Sequence, residues 1–309
     1  MLETVMPFAQ GSRSALSVGV EGSFGTEAST YELVPIKTHS LDLTKERLQG
    51  MDIQADRMPR VSRHGNRQAA GSIEVDLRMG NYDDFLESAM LSTFDSNDEM
   101  TIGTTPKFLT IEDRLADITQ YRLFTGMAVS TATFSIAPNQ MVNTTFEMVG
   151  KNMTISGTPK SASAATTNSP FDSYNGSIYE GGVGTSDLIE IVTSVEFSIT
   201  NSFAPTFVIG DDSAPQLEYG RSIIEGTMTV YFEDATLINK FLNETETELQ
   251  VSVAEPGGTN PYTFYFPRIK VNGASVPLAN EQSRTIELPF EALHDSVEGT
   301  QMLLTRSSA

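Results

Sequence analysis

Side chains that could do chemistry are few and scattered in this sequence. The three histidines, His39, His64 and His294, have no partners at the spacing of metal ligands. General acid–base catalysis also needs groups that converge on one point. We therefore predict that none of these histidines is a ligand or a general base, and we assign no catalytic residue.

Paired carboxylates are the next candidates for chemistry. They occur at Asp83 and Asp84, at Glu233 and Asp234, and at Asp211 and Asp212. The first two pairs open short amphipathic segments, where a carboxylate interacts favourably with the dipole of a helix. Adjacent acids of this kind usually cap helices or lie in turns, and we interpret all three pairs in this way.

Two loops could in principle bind an ion. Residues 95–99 are rich in oxygen ligands but lack the spacing, the central glycine and the closing glutamate of an EF-hand. Residues 181–184 are rich in glycine but lack the lysine, strand and helix of a phosphate-binding loop. The chain has no cysteine, which excludes disulfides and thiolate ligands. We predict no metal site and no cofactor.

Charge restricts the classes of partner. The 309 residues include 40 acidic and 20 basic side chains, a net charge of −20. Such a surface is unsuited to gripping nucleic acid or an anionic membrane, although it could let DNA pass without adhering. No segment approaches the ~20 apolar residues that span a bilayer, and the first residues lack the features of a signal peptide. We expect a soluble protein made in the cytoplasm, with no membrane partner.

The elements that must position any site are mostly strands. Most periodic segments alternate with period two and are rich in Val, Ile, Thr, Phe and Tyr. Helical spacing occurs only at residues 82–91 and 235–242. These patterns predict a mainly β protein with two tandem β-sandwich domains, each with one short flanking helix.

An internal repeat supports the two domains. Residues 40–150 and 194–293 carry the same order of strand and helix signals. The matching strands are 40–44 with 194–198, 71–77 with 226–232, 121–124 with 262–266, and 145–148 with 285–288. A duplicated domain has two copies of every interface that it can make, which favours ring formation over catalysis.

Composition places the predicted domain boundaries. The clearest boundary is a stretch rich in Gly, Ser, Thr and Asn, which is typical of a linker or surface loop. The predicted parts are an extended N-terminal arm (1–39), a first domain (40–156), a linker or loop (157–187), a second domain (188–296) and a polar C-terminal tail (297–309).

The long polar segment of each half has its own charge. Residues 44–68 hold six basic and three acidic side chains, whereas residues 198–226 hold four acidic side chains and one basic one. These could be solvated loops whose signs differ by drift, or neighbouring segments whose opposite signs fix the register. The arginines of the first segment could also suggest nucleic-acid binding, but no aromatic stacking residue lies among them.

The order of elements resembles a known family. Residues 21–26 (Glu-Gly-Ser-Phe-Gly-Thr), 41–46, Arg57, 63–68, 71–75 and 82–89 are similar in order and spacing to tail tube proteins of long-tailed bacteriophages. The resemblance implies that each β-sandwich extends a long hairpin, and that these hairpins close edge to edge into a barrel around a channel. It also implies a virion protein that self-associates into stacked rings, meets other tail proteins, and lets DNA pass without specific binding.

The duplication changes the expected ring. Many members of that family have one domain and form hexameric rings, so two domains per chain predict homotrimeric, pseudo-hexameric rings. We also expect segments 44–68 and 198–226 to line the channel, with a net negative surface, because strong cation–phosphate contacts would stall moving DNA. The alternative is another β-rich virion protein, such as a capsid decoration or a carbohydrate-binding adhesive module. The absence of Trp counts against that alternative.

Overall fold

The structure, a computed structural model, describes residues 8–53, 55–181, 187–189, 191–278 and 283–307. Strands dominate these residues and two short α-helices accompany them, which confirms the mainly β class. The N-terminal elements, after a 3-10 turn at Gly11–Arg13, are β1 (Ser14–Val20), β2 (Tyr31–Val34), β3 (Thr38–His39), β4 (Asp42–Gln49), β5 (Ser62–Asp76), α1 (Asp83–Met90), β6 (Glu99–Thr101), β7 (Leu109–Leu115), β8 (Gln120–Ile136), β9 (Asn143–Gly150), β10 (Asn152–Ser156) and β11 (Ala162–Ser163).

The remaining elements form the second half of the chain. They are β12 (Asp172–Glu180), β13 (Asp187–Leu188), β14 (Val192–Thr200), β15 (Ala204–Thr206), β16 (Gln216–Glu218), β17 (Ile223–Tyr231), α2 (Thr236–Leu242), β18 (Thr247–Glu255), β19 (Thr259–Val271), β20 (Thr285–Ala292) and β21 (Leu303–Arg306). Both predicted helices are therefore confirmed, each within one residue of its expected start.

The two helices differ in how they are covered. Helix α1 buries its apolar face, including Phe85 and Leu86, and ends at Leu91, whose φ of 51° is left-handed. Helix α2 begins beside Asp234, whose Oδ1 accepts the N–H of Thr236 at 2.8 Å, and none of its residues is fully buried. The first helix thus belongs to the core, whereas the second lies at the surface.

The same order of strand pairings occurs in both halves. In the first half, β4 pairs with β5, β5 with β9, and β9 with β8, while β2, β1, β7, β8 and β10 pair in that order. In the second half, β14, β17, β20 and β19 form the first series and β13, β12, β18, β19 and β21 form the other. This agreement supports a duplication. That the halves superpose as the same sandwich stays a prediction.

Strands also occur where the sequence predicts an arm, a linker and a tail. Strand β1 lies in the arm and pairs with β7, burying Leu16 and Val18. Strand β12 lies in the predicted linker and pairs with β18. Strand β21 lies in the tail and joins β19 to β6. Glycine and polar residues interrupt the apolar alternation of β1 and β12, and β21 has only four residues, which hides these strands from a pattern search. The domain boundaries stay a prediction, but the pairings extend both halves outward.

One core serves both halves. Phe134 on β8 stacks on Phe197 of β14 at 4.9 Å between ring centroids. Phe264 of β19 lies 5.0 Å from the ring of Phe134 and 5.1 Å from that of Phe197. Aromatic pairs at these separations add to the stabilisation that burial already gives. The halves are therefore packed together as well as hydrogen-bonded.

The C-terminal strand β21 connects the two halves through an ionic cluster. Arg306 forms ion pairs with Asp83 and Asp98, the latter at 2.8 Å, and its guanidinium lies 4.1 Å from the centre of the Phe94 ring. Tyr262 donates a hydrogen bond to Asp83 at 2.6 Å. Burial raises the pKa of Asp83, although Tyr262 and Arg306 act in the opposite direction. Asp83 is therefore a structural residue and not a helix cap.

The buried carboxylate of Asp113 stabilises the first half. Asp113 on β7 is 1% exposed and lies 2.6 Å from Nη2 of Arg122, and its other oxygen is 3.4 Å from Nε2 of His39. Burial alone would raise the pKa of Asp113, but contacts with His39 and Arg122 outweigh it and lower the pKa below its usual value. The ionised form therefore stabilises the fold.

Asp113→Asn should lower the free energy of unfolding at pH 7 by roughly 3–5 kcal/mol, because it removes one member of a buried ion pair. A pKa that folding lowers gives stability above the unfolded value of about 3.9, and that stability is lost as the pH falls through the folded pKa. The gap between the two proteins should therefore shrink at pH 3. Urea unfolding at both pH values measures it, with exposed Asp52→Asn as the control. Equal stability at pH 7 would contradict the assignment.

Candidate assembly interface

The two halves of the chain join edge to edge. Strand β14 pairs antiparallel with β8 through six consecutive residue pairs, from Val195 with Ile136 to Thr200 with Thr131. The strands β4, β5, β9, β8, β14, β17, β20 and β19 consequently pair in an unbroken series. This series is called the inner sheet below.

Each end of the inner sheet has an edge without a strand partner in the described parts of the chain. At one end, β4 pairs only with β5. At the other end, residues 272–278 continue from β19 and are joined to β20 by three backbone hydrogen bonds. Asn272 donates to Pro289 at 2.7 Å, and Ser275 and Glu287 exchange two bonds of 3.1 and 3.0 Å. An unpaired edge exposes backbone donors and acceptors that can pair with another chain.

The second edge is the counterpart of the one that β14 occupies inside the chain. Val129 faces Met148 in the first half, and Val271 faces Phe290 in the second half. Met148 in turn lies opposite Gly71 of β5, and Phe290 lies opposite Gly226 of β17. Residues 273–278 therefore correspond in position to residues 131–136, the part of β8 that pairs with β14.

The first long segment forms an exposed hairpin, as the sequence predicts. Strands β4 and β5 pair from Asp42 with Ala70 to Gln49 with Ser62, and nearly all of β4 is exposed. Large apolar side chains are exposed near the turn, namely Leu48, Met51, Ile53, Met58 and Val61. That this segment lines a channel stays a prediction.

The second long segment folds back onto the first half over much of its length. The side-chain amide of Asn201 donates to the carbonyl of Ala89 at 2.6 Å, and the hydroxyl of Tyr219 donates to the carbonyl of Thr104 at 2.8 Å. Phe203 is buried against the first half. Strands β15 and β16 make a short hairpin inside this segment, and its tip exposes Ile209. The prediction that residues 198–226 project therefore applies only to this tip.

The two segments of opposite charge meet at one point. The N–H of Arg67 donates to the carbonyl of Asp212 at 2.8 Å, and the two side chains form an ion pair at 3.0 Å. This contact agrees with the view that the opposite signs bring neighbouring segments together. Among the described residues, no carboxylate lies within ion-pair distance of Lys45, Arg47 or Arg63.

The other candidate residues take structural positions. His64 and His294 are exposed, and His39 contacts Asp113 as described above. Asp211 accepts the N–H of Ser213 at 2.9 Å, and this hydrogen bond lowers its pKa.

The acidic loop at residues 95–99 closes on itself. Asp95 accepts the N–H groups of Glu99 and Asn97 at 3.0 and 2.8 Å, and these bonds lower its pKa. Within the ranges that the structure describes, no group of three His, Asp or Glu side chains could hold a metal ion. Residues 182–184 of the glycine-rich loop lie outside the described residues.

A comparison with protein families gives a match that covers most of the chain. A family model described as phage tail tube protein matches residues 11–292, nearly the whole chain. A search of curated proteins found no match. None of the helices in the described residues has the length and apolar character needed to cross a membrane.

Proposed function

Because the chain belongs to the phage tail tube protein family, we propose that it builds a tube by joining inner sheets edge to edge, with three chains in each ring. The chain is a structural subunit of the tail tube and a component of the virion tail. It assembles with copies of itself and associates with other tail proteins. The number of chains per ring and the geometry of closure are the proposal.

The junction between β8 and β14 is the observation that supports three chains. It shows how one half can continue the sheet of another, and it leaves a matching pair of edges at the two ends of the chain. If β4 of one copy pairs with residues 273–278 of the next, the same junction recurs six times around the ring, three times within chains and three times between them. Such a head-to-tail contact closes when the rotation per half is one sixth of a turn.

The size of the resulting barrel suits DNA. Four strands from each half give 24 strands in a ring of three chains. With strands ~4.8 Å apart and tilted by ~40–45°, the backbone radius is roughly 25 Å. A duplex can pass through such a channel after side chains are allowed for, and the net charge of −20 favours passage without adhesion. The proposed role is conduction of DNA during ejection, and no catalytic role is proposed.

Native mass spectrometry of tube fragments tests the ring. We expect a repeating mass of three times the 33.6 kDa chain, and class averages in projection with pseudo-six-fold symmetry. A ring of six chains in which only one half lines the channel would overturn the proposal. No observation favours the alternative of a capsid decoration or an adhesive module.

A further inference from the structure

We infer that the junction between neighbouring chains is ionic, with Lys45 and Arg47 of one copy facing Glu225, Glu244 and Glu291 of the next. The equivalent junction inside each chain is apolar. This inference rests on the ring closure proposed above and identifies the surface and the partner, which is a second copy of this chain.

The junction inside the chain supplies the template. A row of paired residues crosses the first half of the inner sheet, from Asp42 through Ala70 and Val149 to Ala128. Ala128 is fully buried and clusters with Leu91, Phe203 and Leu217, and Val149 packs against the same cluster. The second half of the chain thus lies on an apolar platform.

The corresponding row of the second half is charged. Ser198 pairs with Glu225, Glu225 with Glu291, and Glu291 with Lys270. Ala70, Val149 and Ala128 are thus replaced by two glutamates and a lysine. A carboxylate also replaces an apolar residue after the helices. Leu91 follows α1 and Glu244 follows α2, and each is the residue with a left-handed backbone at that place, with φ of 51° and 52°.

The charged platform, which consists of Glu225, Glu291, Lys270 and Glu244, has an excess of negative charge. Glu225 and Glu291 lie directly opposite each other, an arrangement that is destabilising for like charges. Lys270 forms an ion pair with Glu244 at 2.8 Å. Three carboxylates and one ammonium leave a net charge of −2, and no other cation pairs with Glu225 or Glu291 among the described residues.

The hairpin strand β4 carries the complementary charge at the corresponding positions. Asp42 and Ser198 occupy corresponding positions in the two rows, so Lys45 corresponds to Asn201, which directly follows β14 and still donates its N–H to Ser130 across the junction. Arg47 lies two residues further along β4, as Phe203 lies two residues beyond Asn201. Lys45 and Arg47 are exposed and have no ion-pair partner in the described part of their own chain. Where Phe203 packs on Ala128 and Val149, Arg47 of the neighbouring copy would meet Lys270 and Glu291, on a platform whose net charge is −2.

The junction within a chain and the junction between chains would each reject the segment that fits the other. Arg47 placed on the apolar platform would bury a charge without a counterion, and Phe203 placed on the charged platform would leave the carboxylates unpaired and partly dehydrated. Specificity of this kind depends on penalties against the wrong pairing as much as on contacts in the right one. The charges therefore allow the first half of one copy to follow only the second half of another.

Charge reversal tests the inference. The variant K45E/R47E should remain folded, because both side chains are exposed, but should associate at least ~100-fold more weakly, because like charges would then face each other. The variant E225K/E291K should show the same defect. Combining all four substitutions gives a hairpin and a platform with exchanged signs, and ring formation should return. Sedimentation velocity measures association, and thermal unfolding by circular dichroism verifies the fold.

The control variant R13E/R221E changes the net charge by the same amount as K45E/R47E, at exposed positions outside the junction, and should assemble normally. Rings from K45E/R47E at wild-type strength would overturn the inference, as would a folded fourfold variant that stays monomeric. In those cases the wild-type protein would still form rings. Failure of the wild-type protein to form rings would instead count against the proposed function.

Discussion

Replacing Leu43 by proline is expected to leave a folded chain that forms no rings. The reason lies in the backbone donors of β4, the strand at the free edge of the inner sheet. Ser40 donates its N–H to the carbonyl of Ser72 at 2.9 Å, and donors alternate along an antiparallel strand. The N–H of Leu43 therefore points away from β5, and its hydrogen bond is to the side chain of Asp42 at 2.8 Å.

The junction inside the chain shows what this donor would do in a ring. Asn201 directly follows β14 and corresponds to Lys45, two residues beyond Leu43, and its N–H donates to the carbonyl of Ser130 at 2.8 Å. The N–H group of Leu43, two residues before the position equivalent to Asn201, therefore points across the junction in the same way. Proline has no N–H and is tolerated on an edge strand where that group faces outward, so the substitution blocks closure without removing a bond to β5.

Leu43→Ala is the matched control, because it removes the same partly buried side chain but keeps the N–H. Native mass spectrometry should find rings from the alanine variant and single chains from the proline variant, with similar circular dichroism spectra. Rings from Leu43→Pro would show that β4 is not the strand that closes the ring. Loss of rings in both variants would assign the effect to packing instead.

Much of the fold could be predicted because the repeated segments carry strong local signals. The strand that begins at Gly71 has its counterpart at Gly226, and both glycines admit a close approach of neighbouring atoms. A Cβ at Gly71 would lie 2.6 Å from the carbonyl oxygen of Ser40, and one at Gly226 would lie 2.4 Å from the ring of Phe290. The helices were equally visible, since apolar spacing changes there from period two to the helical period.

The missed elements are those whose stability comes from distant partners. Strand β12 contains Asn175 and Gly176 and has no apolar alternation, yet it pairs with β18 more than 70 residues later. The partly buried cluster of Asp83, Tyr262 and Arg306 joins three segments that are far apart in sequence. A search of the sequence for convergent groups could not find it, because convergence exists only after the halves have packed.

The candidate interface was predictable in charge but not in geometry. Counting charges in residues 44–68 and 198–226 gives the opposite signs, but not which residues meet. The structure shows which residues meet: Arg67 contacts Asp212 within the chain, and Glu225 lies opposite Glu291. The correspondence between Asp42 and Ser198, from which the partner of Lys45 is counted, follows from strand pairings alone.

Deleting the turn of the exposed hairpin is expected to abolish tubes while leaving the chain soluble. Residues 50–61 connect β4 to β5, and an Asn-Gly turn can join Gln49 to Ser62 in their place with little strain. The deleted residues include Met51 and Ile53, whose side chains are 88% and 100% exposed. A cluster of exposed apolar side chains marks a contact surface, so its loss should remove a contact that the tube requires.

The matched control keeps the length of the hairpin and removes only its apolar character, through M51S/I53S/M58S. Negative-stain microscopy scores tubes, and sedimentation scores the smaller species. If apolar contact is what the tip provides, the serine variant should fail as the deletion does. If the length of the hairpin is what the tube requires, the serine variant should form tubes and the deletion variant should not. Tubes of normal width from the deletion variant would contradict any role of the hairpin tip in assembly, since the remaining strands of β4 and β5 alone would then suffice.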